Sequence, residues 1–486
     1  MDKKNTKILD RMFKPKSIAV FGAMNEPGKY GRMIIQSLIK YGFQGKIYPI
    51  YPGGGEIYGL KVYRNISEIE EPIELAKVCV PASNVPQVLL DCLDRGVLGA
   101  EVQSSGFAET GEEAGIELQN EITRIANKGL RVLGPNCFGV HNPKGRITLL
   151  PGFNLSKQSG PVALIAQSGG MAMDFALEAR MAGFGLSKVI SYGNGCDLEA
   201  IKLLDYLSED SDTSYVGVYI EGVENGKKFF DALKQLTAKK PTVVWIGGVT
   251  PLGKRAALSH TGSLSGSWKI WKGLLAQAGA LAVEGLEELV DTMMALVHLD
   301  RVGRNVALVG ASGAVGVTSS DLAHRWDLTL PITSKETQLK LKKHFPSPGV
   351  SLANPLDTGL PFISIKVITE IMKEVLTREP VDVLVVFLQL HALAVEMPTF
   401  MEMDGIKSPS LESYLDGLLK ACINIRQKMD GNVIIVIRDH TNRPVDSEID
   451  RTCRSILPRF YSAGIPVYPS VKRAFRAIRN VTKKNK

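Results

Sequence analysis

No run of 18 or more apolar residues occurs in this 486-residue chain, so a membrane-spanning helix is not expected. The best apolar candidate, Val383–Leu388, is short and is followed by Gln389 and His391, which reads as a buried strand. Cysteine is sparse. The six (Cys79, Cys92, Cys137, Cys196, Cys422 and Cys453) form no CxxC pair and no Cys/His cluster, which argues against a metal centre and leaves free thiols packed in cores as the expectation. The first sixteen residues carry lysines but neither an apolar core nor a small-residue cleavage site, so no secretory signal is expected and the cytoplasm is the expected compartment. No G-x-x-x-x-G-K-[ST] loop is present.

What is present is a balanced globular composition, with 44% hydrophobic and 22% charged residues. The length calls for about three domains. The net charge of +8 comes from dispersed basic residues apart from a run ending Lys483-Lys484-Asn485-Lys486. That tail reads as a solvated end, with a nucleic-acid arm as the alternative; a general positive field would help draw in a polyphosphate ligand. Neither nucleic acid nor membrane is an expected partner.

Three blocks repeat one pattern: a short β-branched run, a glycine-containing turn, then an amphipathic helix. Strands are expected at 17–21, 46–51, 75–80, 99–103 and 131–133 in the first block, and residues 139–158, rich in Gly, Pro, Asn and Ser, read as a linker. The second block has strands near 161–166, 188–191, 215–220 and 242–246. A further break at 300–304 precedes a third block with strands near 305–309, 381–388, 432–437 and 466–468. The boundaries expected are 1–150, 158–298 and 303–486. Alternating strands and helices imply parallel sheets covered on both faces, whose ligands bind beyond the carboxyl ends of the strands. Function is therefore sought in the turns that follow strands.

The first such turn is Gly22-Ala23-Met24-Asn25-Glu26-Pro27-Gly28-Lys29-Tyr30-Gly31. A glycine turn opening onto a helix start suits phosphate, and Lys29 adds a mobile cation. The spacing is not G-x-G-x-x-G, and the second strand ends at Tyr51-Pro52-Gly53 without the acidic residue that binds the NAD ribose. Both features count against an NAD(P)-dependent oxidoreductase; a merely tight turn remains the plain alternative.

Of seven histidines, six sit in contexts that suggest structural or surface roles. His260 differs, lying in Lys254-Arg255-Ala256-Ala257-Leu258-Ser259-His260-Thr261-Gly262, which reads as a loop of small residues between a strand and a helix. Neutral imidazole there could attack phosphorus near neutral pH. Glu221, just past the strand 215–220, could support it or could be a capping or surface carboxylate. Ser168-Gly169-Gly170 follows a strand and opens a helix, which fits either a phosphate cradle or a simple helix cap.

Taken in order, these motifs resemble the nucleoside-diphosphate-forming acyl-CoA synthetases, which include ADP-forming acetyl-CoA synthetase and succinyl-CoA synthetase. The turn from Asn25 to Gly31, Val80-Pro81-Ala82, Ser105-Gly106-Phe107-Ala108-Glu109 and Gly134-Pro135-Asn136-Cys137-Phe138-Gly139 are similar to the CoA-binding block. Gln167-Ser168-Gly169-Gly170, Gly193-Asn194, Tyr219-Ile220-Glu221-Gly222 and Ser259-His260-Thr261-Gly262 resemble the ligase block, and Ser312-Gly313 with Asn354-Pro355 the third domain. The resemblance runs over about residues 10 to 475. It implies a Rossmann-like CoA-binding domain followed by two flavodoxin-like doubly wound α/β domains. CoA would be held by Gly22, Ala23, Asn25, Gly28, Lys29, Pro81, Ser105, Gly106 and Asn136. Phosphate would be held by Ser168, Gly169, Gly170, Thr261 and Gly262, with the helix after Thr261 giving a second helix start. His260 would carry a phosphoryl group, with Glu221 holding its ring. The implied reaction is reversible ligation of a carboxylic acid to CoA through an acyl phosphate. No ATP-grasp module is visible, so the resemblance implies a separate ATP-grasp beta subunit that binds the Mg-nucleotide, in a heteromer such as α2β2. Gly170, Gly195-Cys196 and Gln103-Ser104 depart from the family pattern, and the choice of acid is open to them. A non-catalytic CoA sensor or scaffold is the alternative from another class.

Overall fold

The computed structural model describes residues 3–150, 152, 154–261, 267–300, 302–310, 312–345, 349–359, 363–403, 408–429, 431–438 and 447–482. They divide into two compact units, one of residues 1–180 and 184–289, the other of residues 181–183 and 290–486.

The first unit contains two sheets. Its strands are β1 (Ser17–Phe21), β2 (Lys46–Ile50), a short antiparallel hairpin β3 (Gly55–Ile57) and β4 (Leu60–Val62), β5 (Leu75–Val78), β6 (Gly99–Val102), β7 (Arg131–Leu133), β8 (Gly139–His141), β9 (Ser159–Ala166), β10 (Leu186–Ser191), β11 (Tyr215–Ile220), β12 (Thr242–Ile246) and β13 (Leu281–Val283). The first sheet runs β2-β1-β5-β6-β7, all parallel. Tyr63 adds a single parallel bridge outside β2. With it the order becomes the 3-2-1-4-5-6 of a Rossmann sheet, its third strand reduced to one residue pair. β1, β5 and β6 are buried along their whole length, as parallel strands covered on both faces must be.

The second sheet runs β13-β12-β11-β9-β10-β8. Counting from β9, its parallel part has the 2-1-3-4-5 order of flavodoxin-like folds, and β8 joins antiparallel at the edge beside β10. Residues 139–141, read from sequence as part of a linker, are therefore a strand. The run is only three residues long among Gly, Asn and Pro, and its pairing partner lies some fifty residues away, so local pattern could not reveal it.

The opening helix welds the two sheets into one unit. The chain opens with helix Lys3–Phe13, unforeseen from sequence, whose Leu9, Met12 and Phe13 are buried in a core shared with Tyr206 and Leu207 of the second block. The Phe13 and Tyr206 rings meet edge to face at 5.2 Å, the Tyr206 hydroxyl donates to Asp10 at 3.0 Å, and the Asn142 amide donates to the Phe13 carbonyl at 2.9 Å. Inside the first sheet, Lys77 and Glu101 stand opposite each other on β5 and β6 and form a fully buried ion pair.

The second unit has its own core around β14 (Val306–Val309), β15 (Val383–Leu388), β16 (Asn432–Ile437) and β17 (Val467–Tyr468), parallel and in that order. A parallel bridge between Asn305 and Thr329 supplies a rudimentary second strand beside β14, so this sheet too has the 2-1-3-4-5 order. The final helix, Val471–Thr482, is anchored by Arg473, which forms a two-pronged ion pair with buried Asp291 at 2.8 Å to each oxygen. Among the described residues no helix is long and apolar enough to cross a membrane.

Candidate active site

The Gly22 turn packs tightly. Gly22 has φ +82°, and a Cβ there would stand 2.5 Å from the Cys79 carbonyl oxygen, while a Cβ on Gly31 would collide with the Gly22 carbonyl. These two glycines let helix Tyr30–Tyr41 start directly against the end of β1. Its N-cap, Lys29, makes no side-chain cap, so the first N–H groups of the helix are left for a ligand. The backbone N–H groups of Gly22 and Ala23 both donate to Ile50 O at 3.1 Å. Asn25 donates to Glu56 O at 2.8 Å and accepts from Arg32, and exposed Lys29 lies 3.8 Å from Glu26.

Beyond the carboxyl ends of β5, β6 and β7 lies a cavity of about 370 Å³. Tyr30, Pro81, Ser105 and Asn136 line it together with Cys79, Val80, Gln103, Ser104, Cys137, Phe138 and Leu150. Three of the nine CoA residues expected from sequence, Pro81, Ser105 and Asn136, thus face one cavity, and Tyr30 brings the uncapped helix start to its edge. Gly22, Ala23, Asn25, Gly28, Lys29 and Gly106 are not in its wall. Burial pushes the Cys79 thiol up to about 12, and it donates to Phe21 O at 2.9 Å.

The 105–109 loop is held from within. The Glu109 carboxylate accepts from the N–H of Gly106 at 2.7 Å and of Phe107 at 3.2 Å. It also accepts from the Asn194 side chain at 2.6 Å, so a residue of the second sheet's loops orients a loop of the first. The Asn194 N–H donates to Pro135 O at 3.0 Å, tying the Asn136 turn to the same loop.

In the second sheet, helix Gly169–Met181 begins immediately after Gln167-Ser168. The Ser168 hydroxyl lies 3.4 Å from the Met171 N–H, a weak cap. A Cβ on Gly169 would stand 2.6 Å from the Phe138 ring, so one wall of the first cavity rests directly on this helix start. The Gln167 side-chain oxygen accepts from the Glu221 N–H at 2.9 Å, which fixes Glu221 at the adjoining strand end. Glu221 is 7% exposed, and its Oε1 accepts from the Tyr219 hydroxyl at 3.0 Å. Burial first, and then the Glu221 charge, raises the Tyr219 phenol well above its ordinary range, so it remains a proton donor to that carboxylate.

His260 stands differently from its sequence expectation. Residues Pro251–Thr261 form a helix, not a loop. Proline opens it, and Lys254-Arg255-Ala256-Ala257-Leu258 are good helix formers, a propensity outweighed in the sequence reading by the small residues that follow. This helix packs against the turn Ala108–Thr110 of the 105–109 loop. His260 is in its last turn, and Thr261 closes it. The helix expected after Thr261 is Trp268–Gln277, and Gly262 lies outside the described residues.

Phe138, Glu109, Asn194 and Gln167 occur in the quoted motifs but received no role from the sequence, whereas Gln103 stands there as a departure from the family pattern that bears on the choice of acid. Tyr219 likewise stood unassigned. Each is a polar or aromatic residue within two positions of a strand end or turn glycine, which is the signal that could have raised them. Among the described residues no three His, Cys, Asp or Glu side chains group so as to hold a metal ion.

Residues 16–143 match the CoA binding domain family and residues 159–296 the succinyl-CoA ligase like flavodoxin domain. The chain is 38% identical over 359 residues to the acetate–CoA ligase [ADP-forming] I subunit alpha of Pyrococcus furiosus, covering 72% of this chain and 77% of that one. It belongs to the nucleoside-diphosphate-forming acyl-CoA synthetases, a family of acid–thiol ligases. It is also 38% identical over 346 residues to the acetate–CoA ligase [ADP-forming] of Methanocaldococcus jannaschii, over 71% of this chain and 48% of that protein. Its fold matches the acetyl-coenzyme A synthetase 1 of Ca. Korarchaeum cryptofilum, solved in complex with phosphate and ADP, with a TM-score of 0.81 and 30% identity over 98% of this chain and 97% of that one.

Proposed function

We propose that this chain is the CoA-binding, phosphohistidine-bearing subunit of an acyl-CoA synthetase, interconverting acyl-CoA, phosphate and nucleoside diphosphate with free acid, CoA and nucleoside triphosphate. The observation that carries the reading is the hydrogen bond from the Glu221 N–H to Gln167. It joins a buried carboxylate to the start of helix Gly169–Met181, and Phe138 connects that helix start to the cavity.

The thioester's CoA portion lies at the uncapped start of helix Tyr30–Tyr41, where N–H groups and the helix dipole favour phosphates, and Lys29 and Arg32 add positive charge. Gly28 leaves the turn open, and Gly106 shapes the loop beside Ala82. Inorganic phosphate sits against the N–H groups of Gly169, Gly170 and Met171, with Ser168 beside it. A phosphate oxygen attacks the thioester carbonyl, the C–S bond breaks, and CoA leaves as thiol, giving an acyl phosphate. A ring nitrogen of His260 then attacks phosphorus, and the acyl carboxylate departs with the bridging oxygen. Glu221 holds the other ring nitrogen, fixing the tautomer and stabilising the charged ring as the P–N bond forms. Packing of the His260 helix against Ala108–Thr110 supports delivery of the imidazole from the CoA side. Transfer of the phosphoryl group to a nucleoside diphosphate completes the cycle, and each step reverses.

The nucleotide and its Mg²⁺ belong to a separate ATP-grasp subunit, in an α2β2 assembly. The Pyrococcus relative's designation as an alpha subunit supports a partner, and the "ADP-forming" relatives support ADP as acceptor. The test combines the purified chain with its ATP-grasp partner and measures ATP formed from ADP. ATP that requires phosphate, an acyl-CoA and both chains supports the reading; an active mixture that tolerates omission of this chain or of CoA thioester contradicts it.

A further inference from the structure

Glu221 directly follows β11, and the backbone there is pinned from both sides. The Glu221 N–H donates to the Gln167 side chain at 2.9 Å, and the Gly247 N–H donates to the Ile220 carbonyl at 2.8 Å. Gln167 follows β9 and Gly247 follows β12, the two strands that flank β11. A glutamate still has a broad terminal torsion, so a fixed backbone alone does not aim its carboxylate. Tyr219 supplies the missing constraint. It stands two residues before Glu221, hence on the same face of the sheet, and its hydroxyl donates to Glu221 Oε1 at 3.0 Å. Both side chains are buried. The phenol ring is itself held: Tyr219 and Trp245 are register partners on β11 and β12, and their ring centroids lie 4.6 Å apart. Gly247 completes the arrangement. A Cβ there would stand 2.8 Å from the Tyr219 hydroxyl and 3.2 Å from Glu221 Cγ. Its φ lies outside the left-handed region, so the backbone does not require glycine; the open space over the pair does.

We infer that Tyr219 is a positioning residue for phosphoryl transfer: its hydroxyl aims the Glu221 carboxylate, and Gly247 keeps the room that this hydrogen bond needs. The inference rests on the ligase reading, in which Glu221 holds the ring of His260, and deepens it. The two bonds are compatible, because an ionised carboxylate offers about four lone-pair sites and the phenol takes one. Burial, and then the Glu221 charge, keep the phenol protonated, so it donates throughout the cycle. A carboxylate fixed in this way meets the imidazole in one geometry. Geometry matters here, since a misplacement of about 1 Å at a reacting centre costs roughly 100-fold in rate. Tyr219 thus acts on the reaction through Glu221 alone.

The test follows phosphorylation of His260 from inorganic phosphate and a thioester, in the full chain mixed with its ATP-grasp partner and without nucleotide. Acetyl-, propionyl-, butyryl- and benzoyl-CoA are the probes, and the readout is mass spectrometry of peptides kept alkaline. The fastest thioester is carried through the parent, Tyr219→Phe, Glu221→Gln and the double variant, with thermal melting as the fold control. Phenylalanine keeps the ring and its contact with Trp245. The expected maximal rate of Tyr219→Phe is about 10- to 100-fold below the parent, with half-saturating thioester unchanged within about twofold. Added to Glu221→Gln, the same substitution is expected to cost nothing further. A merely structural tyrosine would slow both backgrounds alike. A parental rate for Tyr219→Phe, or an equal loss in both backgrounds, overturns the inference, and a slow Glu221→Gln then leaves the ligase reading standing. A parental rate for Glu221→Gln removes the role of Glu221 in that reading and this inference with it. No labelling of the parent by any probe overturns the ligase reading as well. Should Tyr219→Phe melt early, Gly247→Ala, whose methyl crowds the hydroxyl and keeps the Tyr219 ring, is put through the same cycle.

Discussion

The Asn194 side chain donates to Glu109 at 2.6 Å, across from one sheet's loops to the other's, while the same carboxylate holds the Gly106 and Phe107 N–H groups. The loop proposed to hold CoA is thus oriented by the domain proposed to hold phosphate. Glu109→Gln places an amide N–H₂ where N–H donors now point. With charged hydrogen bonds worth roughly 1.5–3 kcal/mol, a rise of about tenfold or more in KM for the thioester is expected. Steady-state kinetics with the reconstituted enzyme, against a melting control, measures it.

Glu221→Gln keeps the shape of the side chain but removes the charge that supports an imidazolium. A loss of about 10²–10⁴ in kcat is expected by analogy with other carboxylate–histidine pairs. CoA affinity should be unchanged. A parallel loss of CoA binding would mean that Glu221 acts through the fold and not through His260.

The Lys77–Glu101 pair has no contact with solvent. Burial raises the Glu101 pKa, an effect the Lys77 charge opposes. Lys77→Met removes that opposition and strands a buried carboxylate, at a cost of about 3–5 kcal/mol. A carboxyl whose folded pKa lies above its unfolded value contributes less stability as pH rises through that interval, so this variant should weaken with rising pH. Denaturant melts at several pH values check the slope, and Lys77→Met combined with Glu101→Leu should recover most of the loss.

His141 on β8 is buried against the Tyr41 ring, and burial lowers its pKa to about 3. The unfolded chain takes up this proton near the ordinary value of about 6.5. The stability contributed by the neutral ring is therefore full above that pH and is lost as pH falls toward the folded value. His141→Gln should flatten the decline in melting temperature between about pH 6.5 and 5; an unchanged decline would assign it to other groups.

Much of the fold was legible because parallel strands buried on both faces read as short β-branched runs. Ser17–Phe21, Arg131–Leu133, Tyr215–Ile220, Thr242–Ile246 and Asn432–Ile437 stand where the pattern put them. β8 did not, because a three-residue edge strand owes its existence to β10. The opening helix was not legible because its apolar face is only Leu9, Met12 and Phe13, and the core that covers it comes from distant residues such as Tyr206 and Leu207. The expected loop from Lys254 to Gly262 proves helical through Thr261, because the helix formers from Lys254 to Leu258 prevail over the small residues that follow. At the site, strand-end turns pointed to Glu221 and Ser168, and the family resemblance to the cavity residues Pro81, Ser105 and Asn136. The reach of Asn194 to Glu109 and the pairing of Lys77 with Glu101 depend on cross-strand register and loop packing, which no local pattern records.

The most direct test of the mechanism is to incubate the chain with phosphate and a panel of acyl-CoA thioesters, with and without the ATP-grasp partner and nucleoside triphosphate. Peptides are then mapped by mass spectrometry under alkaline conditions that preserve a phosphoramidate. The expected result is phosphate on His260, dependent on a thioester or on the partner with nucleoside triphosphate, and absent from His260→Ala. No phosphorylated peptide under any of these conditions, or label that persists in His260→Ala, would contradict a phosphohistidine at this position.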